Sequence, residues 1–241
     1  MTQDAMRSMP TGMEKPVCVV IGIGPKNGAA FARRFTEAGY RVAMLSRSTE
    51  LSGKLEAELA GSKAIVCDVT DATAIARAFA QVRTELGDPE VLIYNAGSGV
   101  FKSVDEVSAE EFERSWRINT MGALLASQEV LPAMRKAKQG NIVFVGATAS
   151  LRGKPKTSAF ASAKAAQRSL AQSMARQFAP EGIHVSLMII DGGIGDSEMP
   201  LDKTTDKLHP AHIADAAWYL TRQPASARSF EIDLRPQSES W

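Results

Sequence analysis

Short apolar runs alternate with helical stretches about six times between Val17 and Leu234. The first repeat has the clearest pattern. Val17-Cys-Val-Val-Ile21 is rich in β-branched residues, ends in Gly22-Ile-Gly24-Pro-Lys-Asn-Gly28, and leads into a helical stretch that Gly39 stops. Strand, tight turn and helix in repeated succession predict parallel strands joined by crossover helices, a doubly wound α/β sheet in three αβα layers. Further strands are expected at residues 41–45, 63–67, 91–94, 141–145, 182–190 and 229–234, which makes about seven. Helices are expected at 29–38, 51–59, 70–86, 108–137, 157–179 and 210–222. At 241 residues the chain suffices for one such domain, placed at 16–241, behind a polar, Met-rich leader at 1–15 expected to be flexible.

The glycine turn after the first strand carries chemistry. A helix N-terminus presents unpaired N–H groups, and a glycine-rich approach lets an anion reach them. Gly22 permits the tight turn and Gly28 lets the helix start close to the strand, with Gly24, Lys26 and Asn27 between them. Ser46-Arg47-Ser48 follows the second strand. NAD-selective sites place an acid here for the ribose 2′-hydroxyl. Arg47 instead suits a 2′-phosphate, and Lys26 adds a second cation, so NADP(H) is expected over NAD(H).

Other segments are expected to shape the scaffold. Ser108-Ala-Glu-Glu111 is a capping box that opens the long helix to about residue 137. Phe112, Trp116, Leu124 and Leu125 are spaced for a buried stripe on it. Asn119 falls inside the same helix, where its low propensity asks for a reason. The stretch 195–208 lacks periodicity and reads as a substrate loop or lid.

Composition narrows the partners. The formal net charge is +1 and no long basic run is present, which argues against nucleic acid or an anionic membrane. No apolar stretch approaches a membrane-spanning length. Residues 1–15 lack the apolar core of a signal peptide, so a cytoplasmic location is expected. Cys18 and Cys67 sit in apolar runs and read as reduced, buried thiols. The three histidines show no zinc-like spacing, so no metal site is expected.

An aromatic residue, Phe160, precedes Lys164 by four positions, one helical turn apart on one side of the helix. This resembles the Tyr-x-x-x-Lys element of short-chain dehydrogenases/reductases. Asn95-Ala96-Gly97 resembles that family's Asn-Asn-Ala-Gly, and Asp191-Gly192-Gly193-Ile194 its Pro-Gly-x-Val/Ile turn. The resemblance spans Val17 to Leu234 and implies a Rossmann-like sheet. It implies that Asp68 and Val69 meet the adenine and that Asn95, Ala96 and Gly97 back the ribose. It further implies that Gly192 and Ile194 approach the nicotinamide, and that Lys164 binds its ribose. Asn119 matches the helix Asn that holds a water linked to the Lys. The helices at 108–137 and 157–179 would pair subunits into a homodimer or homotetramer.

The chain resembles a divergent subgroup, because several motif positions differ: Tyr94 replaces the first Asn of Asn-Asn-Ala-Gly and Asp191 the Pro of the later turn. Lys26 stands where the family's glycine motif has its middle glycine. Phe160 replaces the Tyr, and Ala147, thirteen residues before it, replaces the Ser; Thr148 and Ser150 are the nearest hydroxyls. In the family the Tyr protonates the alkoxide left by hydride delivery, and the Ser hydrogen-bonds it. Losing a positioned acid costs roughly 10²–10⁴ in rate. The expected function is therefore an NADP(H)-dependent oxidoreductase of a carbonyl, alcohol or related small molecule, with another acid at Lys164, Thr148, Ser150, Asp191 or a water. The alternative is a non-catalytic NADP(H)-binding pseudoenzyme, a sensor or scaffold. A third reading is a structural protein that has lost the cofactor.

Overall fold

Seven parallel strands form one sheet. The computed structural model describes residues 15–201 and 206–239. The expected leader, apart from Lys15, lies outside the described residues. In chain order the strands are β1 (Val17–Ile21), β2 (Arg41–Ser46), β3 (Lys63–Val66), β4 (Pro89–Tyr94), β5 (Gly140–Ala147) and β6 (Ile183–Ile190), then β7 (Gly193–Ile194), β8 (Lys207–Leu208) and β9 (Glu231–Leu234). The sheet runs β3-β2-β1-β4-β5-β6-β9, and all its pairings are parallel. The helices are α1 (Asn27–Glu37), α2 (Glu50–Glu58), α3 (Ala72–Glu85), α4 (Ala109–Trp116), α5 (Gly122–Ala137), α6 (Ser158–Phe178) and α7 (Pro210–Arg222).

Strand periodicity splits the core into two layers. Val19 and Ile21 of β1 face one layer with Phe79 of α3, Val130 of α5 and Phe178 of α6. Cys18 and Val20 face the other, with Phe31 and Phe35 of α1, Leu55 of α2 and Leu220 of α7. Successive side chains of a strand point to opposite faces, so a strand covered on both sides reads as an unbroken apolar run. Each such buried side chain contributes roughly 1.5–3 kcal/mol.

The order of the sheet reverses direction beside β1. Chain growth moves outward to β3 on one side and returns through β4 on the other. The helices at this point leave a crevice at the carboxyl ends of β1 and β4, where open α/β sheets take their ligands.

Two expectations about helices are corrected. The stretch 108–137 is not one unbroken α-helix. The Ser108 capping box opens α4, but Arg117–Met121 forms a π-turn, and Asn119 lies in it. A π-turn carries one more residue per hydrogen-bonded ring and is a common way to hold a side chain at a site. Nor do Phe112, Trp116, Leu124 and Leu125 form a buried stripe. Phe112 is exposed and the other three are half-buried, while Ser115, Asn119, Ala123, Ala126 and Val130 face inward. Small residues line the inner face because α4 and the π-turn lie close to α6: Thr120 Oγ1 donates to the Ala163 carbonyl at 2.8 Å. The stretch 195–208 also has more order than expected, since β8 at its end pairs with β7 just before it and Gly195 N donates to the Leu208 carbonyl; residues 202–205 lie outside the described residues.

Candidate active site

The crevice holds a cavity of about 1000 Å³. Its floor is where β1 and β4 end. Gly22 has φ +94°, a conformation that favours glycine, and a Cβ placed on it would lie 2.5 Å from the Ala96 nitrogen. The backbone there is tied in three directions. Gly22 N donates to the Leu45 carbonyl, Asn95 N donates to the Ile21 carbonyl, and Asn95 Nδ2 donates to the Gly22 carbonyl at 2.7 Å. Gly28 stands equally close: its Cβ position is 2.5 Å from the Gly22 carbonyl oxygen. Asn27 begins α1, and its buried Oδ1 has no hydrogen-bond partner. A floor of bare backbone and an unpaired buried acceptor fit a phosphate-bearing dinucleotide, whose ribose hydroxyls are donors.

Cations ring the cavity. Lys26, Arg47, Lys54 and Arg114 line it, against Glu50 and Asp68. Arg47 is exposed at the end of β2 in a loop held by Ser46, whose hydroxyl donates to the Ser48 carbonyl at 2.7 Å. Lys54 and Arg114 were not anticipated from sequence; isolated basic residues inside helices give no spacing signal. Asp68 serves as a turn as well as a wall. Its Oδ1 accepts from Thr70 N and Thr70 Oγ1 at 2.9 and 2.8 Å. These bonds, with Arg47 and Arg114 nearby, hold its carboxyl below the usual range. Val69, Ala96 and Gly97 line the cavity next to it.

Lys26 spans to the far rim. Its Nζ donates to the Ile194 carbonyl at 2.7 Å and lies 3.4 Å from Asp196. The glycine loop is thus joined to the turn after β6, and Asp196 faces a lysine. Asp191 points away from the cavity chemistry. Its carboxylate pairs with Arg235 at 3.0 Å, behind a bond from its N–H to the Leu234 carbonyl. Gly192 lies under Pro236, so the chain after β9 braces this turn.

Deeper in, the residues of the expected catalytic set converge. Asn119 is fully buried; its Nδ2 donates to the Ser115 and Ser98 carbonyls at 2.9 and 3.2 Å. Its Oδ1 is unpartnered and lies 3.4 Å from the Cβ position of Gly97, with Lys164 Nζ 3.8 Å from the same point. Lys164 is buried and donates to the Val145 carbonyl at 2.8 Å. Burial pushes its amine down to about 7. The Phe160 ring is half-buried, 6.0 Å from Lys164 Nζ, and meets Phe101 at 5.6 Å between centroids. Ala147 ends β5, Thr148 Oγ1 donates to the Ile190 carbonyl at 3.4 Å, and Ser150 Oγ is buried without a partner. Sequence reasoning missed Phe101 and Gln167; a polar amide in an alanine-rich helix, one turn past Lys164, was the available signal for the second.

A profile of the short chain dehydrogenase family matches residues 16–207. The chain belongs to this family. It is 35% identical over 169 residues to the inactive 2-(S)-hydroxypropyl-CoM dehydrogenase 2 of Xanthobacter autotrophicus, covering 70% of this chain and 73% of that one. It superposes on a short-chain dehydrogenase from Rhodopseudomonas palustris with a TM-score of 0.81 at 33% identity, covering 92% and 98% of the two chains. An alcohol dehydrogenase from the archaeon Thermococcus sibiricus, complexed with 5-hydroxy-NADP, gives a TM-score of 0.84 at 25% identity, over 94% and 99%. As a short-chain dehydrogenase relative, the chain carries an oxidoreductase scaffold. Among the described residues no helix is long and apolar enough to cross a membrane, and no group of three or more His, Cys, Asp and Glu could hold a metal.

Proposed function

We propose that this short-chain dehydrogenase relative is an oxidoreductase that binds NADP(H), in preference to NAD(H), in the cavity at the β1–β4 crevice. When bound, the cofactor would supply or accept the hydride exchanged with a carbonyl, an alcohol or a related small molecule. The observation that carries the reading is Arg47, exposed at the cavity rim beside Ser46 and Ser48 where an NAD-selective site has an acid. Gly22, Gly24, Asn27 and Gly28 would take the pyrophosphate, Asp68 and Val69 the adenine, and Asn95, Ala96 and Gly97 the ribose. Lys164 would hold the second ribose, and Gly192 and Ile194 the nicotinamide. Lys26 would reach the phosphates by giving up Asp196. Arg47→Ala is expected to weaken NADPH about tenfold and leave NADH within about twofold, since a paired, partly exposed phosphate contact contributes roughly 1–1.5 kcal/mol. Fluorescence titration of both nucleotides checks it; unchanged NADPH affinity, or a wild type that prefers NADH, refutes the assignment.

A second reading, a nucleotide-binding protein without turnover, is favoured by a specific observation. Neither Phe160 nor Ala147 has a hydroxyl, and the Xanthobacter relative carries "inactive" in its name. In the oxidoreductase reading, proton delivery would fall to Lys164, Thr148, Ser150 or water, since Asp191 is paired with Arg235. Turnover of a panel of aldehydes, ketones and enones separates the two readings.

Residues 16–241 are proposed to act as one unit and to assemble as a homodimer or homotetramer in the cytoplasm. Phe112, Trp116 and Leu124 support the assembly, because they turn outward from α4 and α5 rather than into the core. Light scattering at micromolar protein should give a mass of at least twice 25.9 kDa; a monomer mass contradicts it. Cys18 and Cys67, both buried and unpaired, fit a reducing compartment.

A further inference from the structure

Gln167 is fully buried in α6. A buried amide is costly unless its polar ends are bonded. Nε2 donates to the Asn119 carbonyl at 2.8 Å, and Oε1 accepts from Lys164 Nζ at 3.1 Å. The orientation of the amide follows from chemistry. A carbonyl can only accept, so the NH₂ must face Asn119, and the oxygen is left for the lysine. The Asn119 carbonyl is presented by the π-turn, so the π-turn, the amide and the amine form one line ending beside Gly97.

Among the described residues Lys164 has no charged partner to fix it. The groups around it are the Val145 carbonyl of β5, the Gln167 amide and the Phe160 ring of α6, Gly97 after β4 and Asn119 of the π-turn. Among the described residues no charged side chain pairs with it, and burial pushes its proton affinity down. An ammonium has three donors, and two are taken by Val145 and Gln167. The third is left to the Gly97 side, where the cavity lies.

We propose that Gln167 is a positioning residue for Lys164: braced on the Asn119 carbonyl, its amide oxygen aims the ammonium at the cavity and sustains its charge by a hydrogen bond. A neutral dipole does this where a carboxylate would hold the proton permanently. The lysine therefore stays able to exchange a proton in the ordinary pH range, which suits a pocket that lacks a phenol. The contribution to nucleotide binding rests on the NADP(H) reading above; the effect on the lysine does not.

The test reads the lysine directly. Full-length protein labelled with ¹³C-lysine is titrated by NMR without nucleotide, and the Lys164 Cε signal is identified by its loss in Lys164→Arg. A hydrogen bond to the charged form raises the midpoint of a base, and an adjacent carboxylate raises it further. Gln167→Glu is expected to raise the midpoint by at least about one pH unit, and Gln167→Met to lower it by about half a unit or more. Gln167→Glu keeps the volume of the side chain but gives up the bond to the Asn119 carbonyl, so if either variant folds poorly the midpoint is read from the other. Midpoints within about 0.2 units of wild type in the folded variants overturn it, as a packing role would change stability alone. NADPH affinity measured over the same pH range should fall as Lys164 loses its proton, with a break that moves with the NMR midpoint. Shifted midpoints with no NADPH binding would leave the role of Gln167 standing and remove the nucleotide reading.

Discussion

Gly22→Val is expected to lower the melting temperature by about 10 °C or more and to abolish nucleotide binding. Three costs add. A side chain at φ +94° carries backbone strain of roughly 1–3 kcal/mol. Its Cβ would lie 2.5, 2.7 and 2.8 Å from Ala96 N, Ala96 Cα and the Asn95 carbonyl carbon, all backbone that cannot rotate aside. Separating the ends of β1 and β4 would stretch the bonds Asn95 makes to Ile21 and Gly22, each contributing about 1 kcal/mol. The sum is on the order of 4 kcal/mol, a large part of the 5–15 kcal/mol that stabilises a typical domain. At this chain length each kcal/mol moves the midpoint by about 2–4 °C. Circular dichroism melting checks the value. Gly24→Ala is the control: its Cβ position has nothing within 4 Å and its φ is unexceptional, so a small effect is expected. Equal melting temperatures for the two variants would contradict the account of the floor.

Phe160→Tyr combined with Ala147→Ser is expected to raise NADPH-dependent carbonyl reduction at least tenfold. The phenol oxygen would extend from a ring already on the turn before Lys164, whose Nζ is 6.0 Å from the ring centre. The serine hydroxyl would sit at the end of β5, where Ala147 is half-buried. A positioned acid contributes roughly 10²–10⁴ in rate, so tenfold is a modest threshold. The measurement is kcat/KM over a panel of aldehydes and ketones, with NADPH affinity as a check on the fold. Absence of gain with affinity intact would mean that the Phe101–Phe160 contact has made the mouth apolar beyond repair by two oxygens. That outcome would favour the non-catalytic reading.

Much of this architecture is written locally in the chain. β-branched runs that stop at Gly22, Asp68 and Asn95 announce parallel strands and mark the carboxyl ends where a ligand gathers. The Ser108 box and the Pro210 start are likewise local signals, and both helices begin there. What local pattern could not convey is contact between distant segments. Lys26 was readable as a cation, yet its bond to Ile194 joins residues 168 apart. Asp191 was readable as an odd acid, but its partner Arg235 follows the last strand. The outward turn of Phe112 and Trp116 inverted the usual rule, because the close approach of α6 left room inside only for small side chains. A π-turn has no composition signal at all; only the mid-helix Asn119 hinted that something there was unusual.

The Lys26 bridge changes what an arriving anion must do. Its ammonium is already engaged by the Ile194 carbonyl and by Asp196. A phosphate that takes this lysine therefore performs an exchange of counterions, one oxyanion displacing another, and gains only the difference between the two. Competition with so exposed a carboxylate is a small discount, and it weighs more on weakly charged visitors than on a doubly charged pyrophosphate. Asp196 would then stand at the rim without its partner, and the turn after β6 would keep its brace from Arg235 and Pro236 but give up its tie to the glycine loop.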